Sequence, residues 1–286
     1  MTLWSAVVLS QGDRPDELDR ALQSLLSQRD VSLEVIVVGN GWEPVGLPDG
    51  VRGLHLATNL GAPKGRNRGI RKARGELLYF LDDDAWLPDQ GTLRAIEDAF
   101  DADPELCVVQ TRIESPEGDS ARRWVPRLWN KDPRHSSTVF SVLEGSVAAR
   151  ASTLKRTRGW PGRFFYAHEG IELAWRAWDT GGTVEYRGDL VAYHPLLTRE
   201  RHAGHMFQDA RNRVWLAKRN LPCPVAVAYI VNWTVLTGVR SVRQPTAYGQ
   251  WLRGACTGVR TYGGRRRPIS WKTVWGMTKA GRPPIV

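Results

Sequence analysis

The chain has 286 residues, 42% of them apolar and 24% charged, with no low-complexity tract. It is therefore long enough for one large core plus a smaller attached unit, and it falls outside the disordered and fibrous classes. Its net charge of +10 is uneven: residues 199–286 hold 16 Lys/Arg against two acids, while the first 198 residues hold 24 against 28. A near-neutral body with a basic tail confines any polyanionic partner to the tail, and an anionic membrane surface and a nucleic acid are the two candidates. Cys107, Cys223 and Cys256 are too few and too scattered for a disulfide framework or a metal knuckle, so a reducing cytoplasmic setting is expected. The opening stretch lacks the basic start and long apolar run of a secretory signal.

The first ~115 residues alternate strands with helices, the pattern of an α/β protein with a mostly parallel sheet. Residues 3–10 form an apolar run that predicts a buried strand. Asp13 and Pro15 then open a helix with Leu18, Ala21, Leu22, Leu25 and Leu26 at helical spacing. Residues 33–38 predict a second buried strand ending in Gly39-Asn40-Gly41, and 51–57 a short third one. Pro63 suits the first turn of a helix that continues to Arg74, with Gly75 as its stop. Residues 77–81 predict a strand that runs straight into Asp82-Asp83-Asp84. A helix over 93–100 and a strand over 107–113 follow.

Residues 116–133 are polar and rich in turn formers. Residues 139–150 fit a strand pair or a strand entering a short helix, 169–180 a helix and 183–194 a strand. Beyond 199 a helix is expected over 202–220. Residues 221–239 carry no charge; with Pro222 and Pro224 breaking the start, roughly 15 helical residues remain, or about 22 Å. That is short of the ~30 Å of a bilayer core, so a buried or interfacial helix is expected rather than a span. The division is therefore an α/β body, 1–198, and a basic helical region, 199–286, for which the inner face of a membrane is one candidate surface.

Chemistry concentrates in the first half. Three consecutive carboxylates at a strand end repel one another unless a cation joins them. Asp82 and Asp84, two apart on an extended chain, point the same way and can converge on one hard divalent ion, which takes oxygen ligands and bridges phosphates. An acidic turn capping the next helix is the plainer reading. Upstream, Asn59-Leu60-Gly61-Ala62-Pro63-Lys64-Gly65-Arg66-Asn67-Arg68-Gly69 offers glycines for close backbone approach, a helix start with free N–H groups and positive charge. Trp124, Trp129 and Trp160 lie in the loop-rich middle, where aromatic faces stack on sugars, although core packing accounts for each singly.

The order of these segments resembles glycosyltransferase family 2, the inverting enzymes of GT-A fold. The resemblance covers roughly 4–195 and continues in Tyr166-Ala167-His168-Glu169-Gly170-Ile171-Glu172-Leu173-Ala174-Trp175-Arg176, which is similar to the acidic-pair helix of that family. It implies an Mn²⁺ or Mg²⁺ ion on Asp82 and Asp84, with His194 where some relatives place a third ligand. It implies donor contacts at Ser10, Gln11, Asp13 and Arg14, at Asn40, at Gly61, Arg66 and Asn67, and at Asp82 and Asp83, the last near the ribose. Two departures stand out. Gly39 replaces the first acid at the end of the second strand, leaving Asn40 to hydrogen-bond a uracil or thymine edge. Gly170 replaces the second acid of the pair, at the usual base position, leaving Glu169 as the expected base with Glu172 as its substitute and His168 tuning its neighbour.

The expected activity is transfer of a sugar from a UDP- or dTDP-sugar to a hydroxyl on a glycan, a lipid-linked glycan or a small molecule. A sugar nucleotidyltransferase would want a Gly-rich loop after the first strand, where Gln11-Gly12-Asp13-Arg14-Pro15 has one glycine. A basic nucleic-acid-binding protein would draw on Arg265-Arg266-Arg267 but leaves the triple aspartate unexplained, and no nucleic-acid partner is expected.

Overall fold

A computed structural model describes residues 2–129, 132–196 and 204–285. The strands are β1 (Leu3–Ser10), β2 (Ser32–Asn40), β3 (Val51–Leu56), β4 (Leu77–Asp82), β5 (Leu106–Glu114), β6 (Ser137–Thr138), β7 (Ser146–Arg150) and β8 (Thr183–Tyr193). They make one sheet in the order β3-β2-β1-β4-β7-β5-β8-β6. Pairing is parallel from β3 through β4 and again between β5 and β8, while β7 runs antiparallel between β4 and β5 and β6 is an antiparallel edge. This is the mostly parallel sheet of a GT-A fold, as expected.

The alternation of strand residues builds two cores. On β1, Trp4, Ala6 and Val8 face one side, with Leu77, Tyr79 and Leu81 of β4, against α1 (Pro15–Leu26) and α3 (Thr92–Ala102). Val7, Leu78 and Phe80 face the other side, with Leu173, Ala174 and Ala177 of α5 (Glu169–Asp179). α2 (Ala62–Ile70) lies close on that side through its glycines: a Cβ at Gly65 or Gly69 would come within 2.4 Å of Leu9 or Val7. α2 ends four residues before Arg74, because the Arg74 and Gly75 amides leave the helix axis for the Ser5 hydroxyl, at 3.2 and 2.8 Å. The 139–150 segment resolves as β7 leading directly into α4 (Ala151–Thr157).

The C-terminal helices are α6 (His205–Asn220), α7 (Cys223–Arg240), α8 (Pro245–Arg260) and α9 (Trp271–Lys279). The expected boundary at 198/199 and the expected helix start at His202 lie outside the described residues. A third core joins this region to the body: Phe164 and Trp175 pack with Trp215 and Leu216 of α6, with Leu221 just after it, with Tyr229 of α7 and with Met277 of α9. α7 is longer than expected, 18 residues and so about 27 Å, because Pro224 sits in the first turn, where its missing N–H breaks no helical bond.

Candidate active site

The site lies beyond the carboxyl ends of β1, β2 and β4, where ligands bind in open α/β sheets. β4 delivers Asp82, and the chain turns at once through Asp83 and Asp84, which are 3% and 4% exposed. Three buried or half-buried carboxylates are answered by three cationic groups from other elements. Arg14, just before α1, forks onto Asp83 and Asp84, meeting Asp83 Oδ1 at 2.6 Å. Arg66 of α2 donates to Asp82 Oδ1 at 2.7 Å. His194, just after β8, has Nε2 3.2 Å from Asp84 Oδ1 and 3.9 Å from Asp82 Oδ2.

This crowding shifts protonation. Burial pushes the Asp83 carboxyl up to about 6, although the Ser10 hydroxyl and Arg14 pull the other way. Burial likewise works against the charged forms of His194 and Asp84. Their mutual hydrogen bond and charge prevail, holding His194 up at about 9 and Asp84 below the usual carboxylate range.

One ligand atom each from Asp82, Asp84 and His194 lies within 4.8 Å of the others. Two carboxylates and an imidazole at that spacing form an oxygen-rich donor set that could hold a divalent cation such as Mn²⁺ or Mg²⁺, with the cation taking the place of the proton that His194 otherwise carries. The three ligands expected from the sequence are thus brought together, one from 194 and two from the β4 end.

The loops around this cluster interlock. Ser10 Oγ accepts from the Gly12 amide at 3.0 Å and hydrogen-bonds Asp83. Asn40 is 3% exposed and engages the next loop, accepting from the Leu60 amide and donating to Asn59 Oδ1, both at 2.8 Å. Asn59, an exposed residue that sequence reasoning did not single out, also donates to Gln11 at 2.6 Å and accepts from the Gly61 amide at 2.9 Å. Asp13 is largely exposed, 3.9 Å from Arg14 Nε. Asn67 faces away from the cluster and brackets Trp160, donating to its carbonyl and accepting from its amide at 2.8 and 2.9 Å. Trp160 is buried, edge-on to Phe80 and under the Arg66 guanidinium, so packing and not sugar stacking accounts for it. Trp124 is also buried, with His194 against its ring, whereas Trp129 is exposed.

Gly61 has φ 80°, and a Cβ there would stand 2.5 Å from the Phe165 carbonyl, which accepts from the Ala62 amide at 2.9 Å. The helix that could cradle a phosphate therefore abuts the loop before α5. That loop is unusual: Phe165, Ala167 and His168 all have φ near +70°, a region costing about 1–3 kcal/mol for a residue with a side chain. α6 holds it there. Asn212 Nδ2 donates to the carbonyls of Phe164, Tyr166 and Ala167, and Asp209 binds His168 Nε2 at 3.0 Å. Asp209 in turn accepts from Trp251 and Arg213.

The loop delivers Glu169 2% exposed, sealed beneath Arg66, with Oε1 3.7 Å from Arg66 Nη1. Its Oε2 and Arg66 Nη1 are buried without a hydrogen-bond partner among the described residues. Burial and the adjoining Glu144 carboxylate push Glu169 upward, against Arg66. Glu144, absent from the sequence-based set, accepts from the Gly170 amide through Oε1. Glu172 lies elsewhere, paired with Arg219, Arg176 and Asn220 at the junction with α6.

Comparison with known proteins bears on the fold and the family. The chain is 32% identical over 151 residues to the succinoglycan biosynthesis protein ExoO of Rhizobium meliloti (strain 1021), a match over 50% of this chain and 43% of that protein, so it spans less than half the length of this relative. The structure of S. aureus TarS 1–349 in complex with UDP-GlcNAc superposes with a TM-score of 0.62 at 15% identity, over 91% of this chain and 81% of that one. The mannosyltransferase PcManGT of Pyrobaculum calidifontis, in complex with GDP-Man and Mn²⁺, gives 0.56 at 17% identity, over 97% and 79%. At these identities the superpositions speak to the fold alone. The sequence profile described as Glycosyl transferase family 2 matches residues 6–149, which ends at β7 and takes in the whole acidic turn together with the loops that brace it; the chain belongs to that family.

Proposed function

We propose that the protein is an inverting glycosyltransferase that moves a sugar from a UDP- or dTDP-type donor to an acceptor hydroxyl on a glycan, a lipid-linked glycan or a small molecule. The observation that carries this reading is the convergence of Asp82, Asp84 and His194, with Arg66 of the basic helix α2 on Asp82. A divalent cation held by these three would neutralise the charge developing on the diphosphate leaving group. Arg14 and Arg66 hold the carboxylates in place and keep positive potential on the donor side, and the positive end of the α2 dipole adds to it. Asn59 and Gln11, exposed above the Asn40 hub, are placed to meet the base. On the acceptor side, the Glu144–Glu169 pair next to Arg66 supplies the carboxylate that takes the hydroxyl proton. A single displacement inverts the anomeric centre.

A thermal-shift panel of UDP, dTDP, GDP and CMP with and without Mn²⁺ tests the class and the base together. UDP or dTDP should stabilise the protein only with the metal, by RT ln(1 + [L]/Kd), about 2.7 kcal/mol at a hundredfold excess over Kd. No metal-dependent shift with any nucleotide would overturn the proposal.

The tail reading is proposed as peripheral attachment to an anionic membrane. Ala226 and Tyr229 turn α7 onto the body, while Val227, Val231, Val235 and Val239 recur every four residues on its outer side, 54–69% exposed. Only 11% of this apolar segment is buried, and exposed Arg240 and Arg243 stand at its end. Basic residues near an anionic surface contribute about 1 kcal/mol each. Binding to phosphatidylserine vesicles should weaken with salt and fall on R240E/R243E; equal binding to neutral vesicles would argue against the electrostatic part. Arg266 and Arg267 donate to the Lys218, Leu221 and Arg156 carbonyls, which favours a structural use of this basic run over a nucleic-acid surface.

A further inference from the structure

We propose that Glu144 is the general base, brought to the site from the turn before β7, and that Glu169 is a positioning residue acting through Arg66. The inference rests on the glycosyl-transfer reading above and deepens it.

A base for an acceptor hydroxyl must face both the reacting centre and an open path for the acceptor. Glu169 meets neither need: it is 2% exposed and lies beneath Arg66, whose other nitrogen is fixed on Asp82. Glu144 is partly exposed. Its neighbour Gly145 borders the metal cluster directly, since the Asp82 amide donates to the Gly145 carbonyl at 3.0 Å and a Cβ on Gly145 would stand 3.1 Å from Asp82 Oδ2. The Glu144 carboxylate is also aimed. The amide of Gly170, in the first turn of α5, donates to Oε1, so the helix terminus orients the group.

Gly170 completes the arrangement. A Cβ at that position would stand 2.0 Å from the Val142 carbonyl and 2.6 Å from Glu144 Oε1. No side chain fits there while the 142–144 turn holds its place, so the carboxylate that occupies this space comes from residue 144. In the step itself Glu144 takes the acceptor proton as the acceptor oxygen bonds to the anomeric carbon. The bond from that carbon to the diphosphate oxygen breaks, and the nucleoside diphosphate leaves with its electron pair.

A simple helix cap would explain the Gly170 contact equally well, and the experiment separates the two. E144Q keeps an oxygen to accept from Gly170, and E144A leaves room for a small acid. Turnover is followed as UDP released from UDP-GlcNAc, UDP-glucose and UDP-galactose with Mn²⁺, with water as the acceptor, and donor-site integrity as UDP·Mn²⁺ affinity. Both variants should bind UDP·Mn²⁺ as the wild type does and lose about 10²–10⁴-fold in turnover, and added formate should restore part of the rate in E144A. Turnover within tenfold of wild type in E144Q, or a fall in UDP·Mn²⁺ affinity that matches the loss of rate, would overturn the assignment to Glu144. A wild-type protein that fails to bind UDP, dTDP or GDP with Mn²⁺ would instead remove the glycosyl-transfer reading beneath it.

Discussion

Asp84→Asn should leave a folded protein that no longer binds a nucleoside diphosphate in an Mn²⁺-dependent way. The residue is nearly isosteric and sits beyond the end of β4, so neither core loses packing. Its two oxygens face donors, Arg14 Nη1 on one and His194 Nε2 on the other. An asparagine keeps one acceptor and turns an NH₂ toward the second donor, a mismatch worth about 1–3 kcal/mol in a buried setting. The metal suffers more. Loss of a group that merely supports a ligand typically lowers metal affinity 10–100-fold, so replacing a proposed ligand should lower it by more than about 100-fold. Titrating UDP in the presence of Mn²⁺ by calorimetry checks this. Unchanged affinity in a folded Asp84→Asn would remove the metal from the Asp82, Asp84 and His194 cluster.

Glu172→Ala should cost about 3–5 kcal/mol of stability, the usual effect of leaving a buried charge without its partner. Glu172 is 2% exposed, and both of its oxygens are in use. Arg219 grips it twice, at 2.6 and 2.9 Å, Asn220 donates at 2.7 Å and Arg176 at 3.2 Å. Burial alone would raise its pKa, but Arg219, Arg176 and Asn220 together hold it below the usual glutamate range. The sign of the pH effect follows. A depressed native pKa means that the unfolded state binds the proton first as pH falls. The contribution of Glu172 is thus complete above about 4.3, the ordinary glutamate value, and disappears as pH drops through the native one. Urea unfolding of wild type and Glu172→Ala should differ most near pH 7 and converge in acid. Wild-type stability in the variant, with turnover lost, would return Glu172 to the chemistry.

The parts of the site that could be read from the sequence are those encoded locally. Trp4, Ala6 and Val8 alternating with Val7, and Leu77, Tyr79 and Leu81 with Leu78 and Phe80, give β1 and β4 away by their period, and the acidic triplet inherits its place from the strand before it. Gly61 and Pro63 mark the start of α2 in the same way. Glu144 carries no such mark. Its weight comes from a contact across 26 residues with Gly170, and only the fold brings that amide to the carboxylate. Charge counting is blind in a related manner. A sum of +14 over residues 199–286 cannot distinguish an arginine on the surface from Arg213, stacked 3.5 Å over the Trp233 ring, or Arg219, locked on Glu172. The length of α7 was misjudged because Pro224 was read as a breaker, although in a first turn it interrupts nothing.

The grip of α6 on the left-handed segment before α5 bears on how such enzymes could be recombined. Asn212 and Asp209 set the backbone that carries Glu169 past the mouth of the site, so the helical region behaves as a jig for the loop. A chimaera that joins this body to the C-terminal helices of another family member at the apparent seam near residue 200 would separate the jig from the piece it shapes. The unit that can be transplanted is larger: residues 160–176 must travel with helices α6 to α9, leaving the sheet and its acidic turn as the donor-binding chassis.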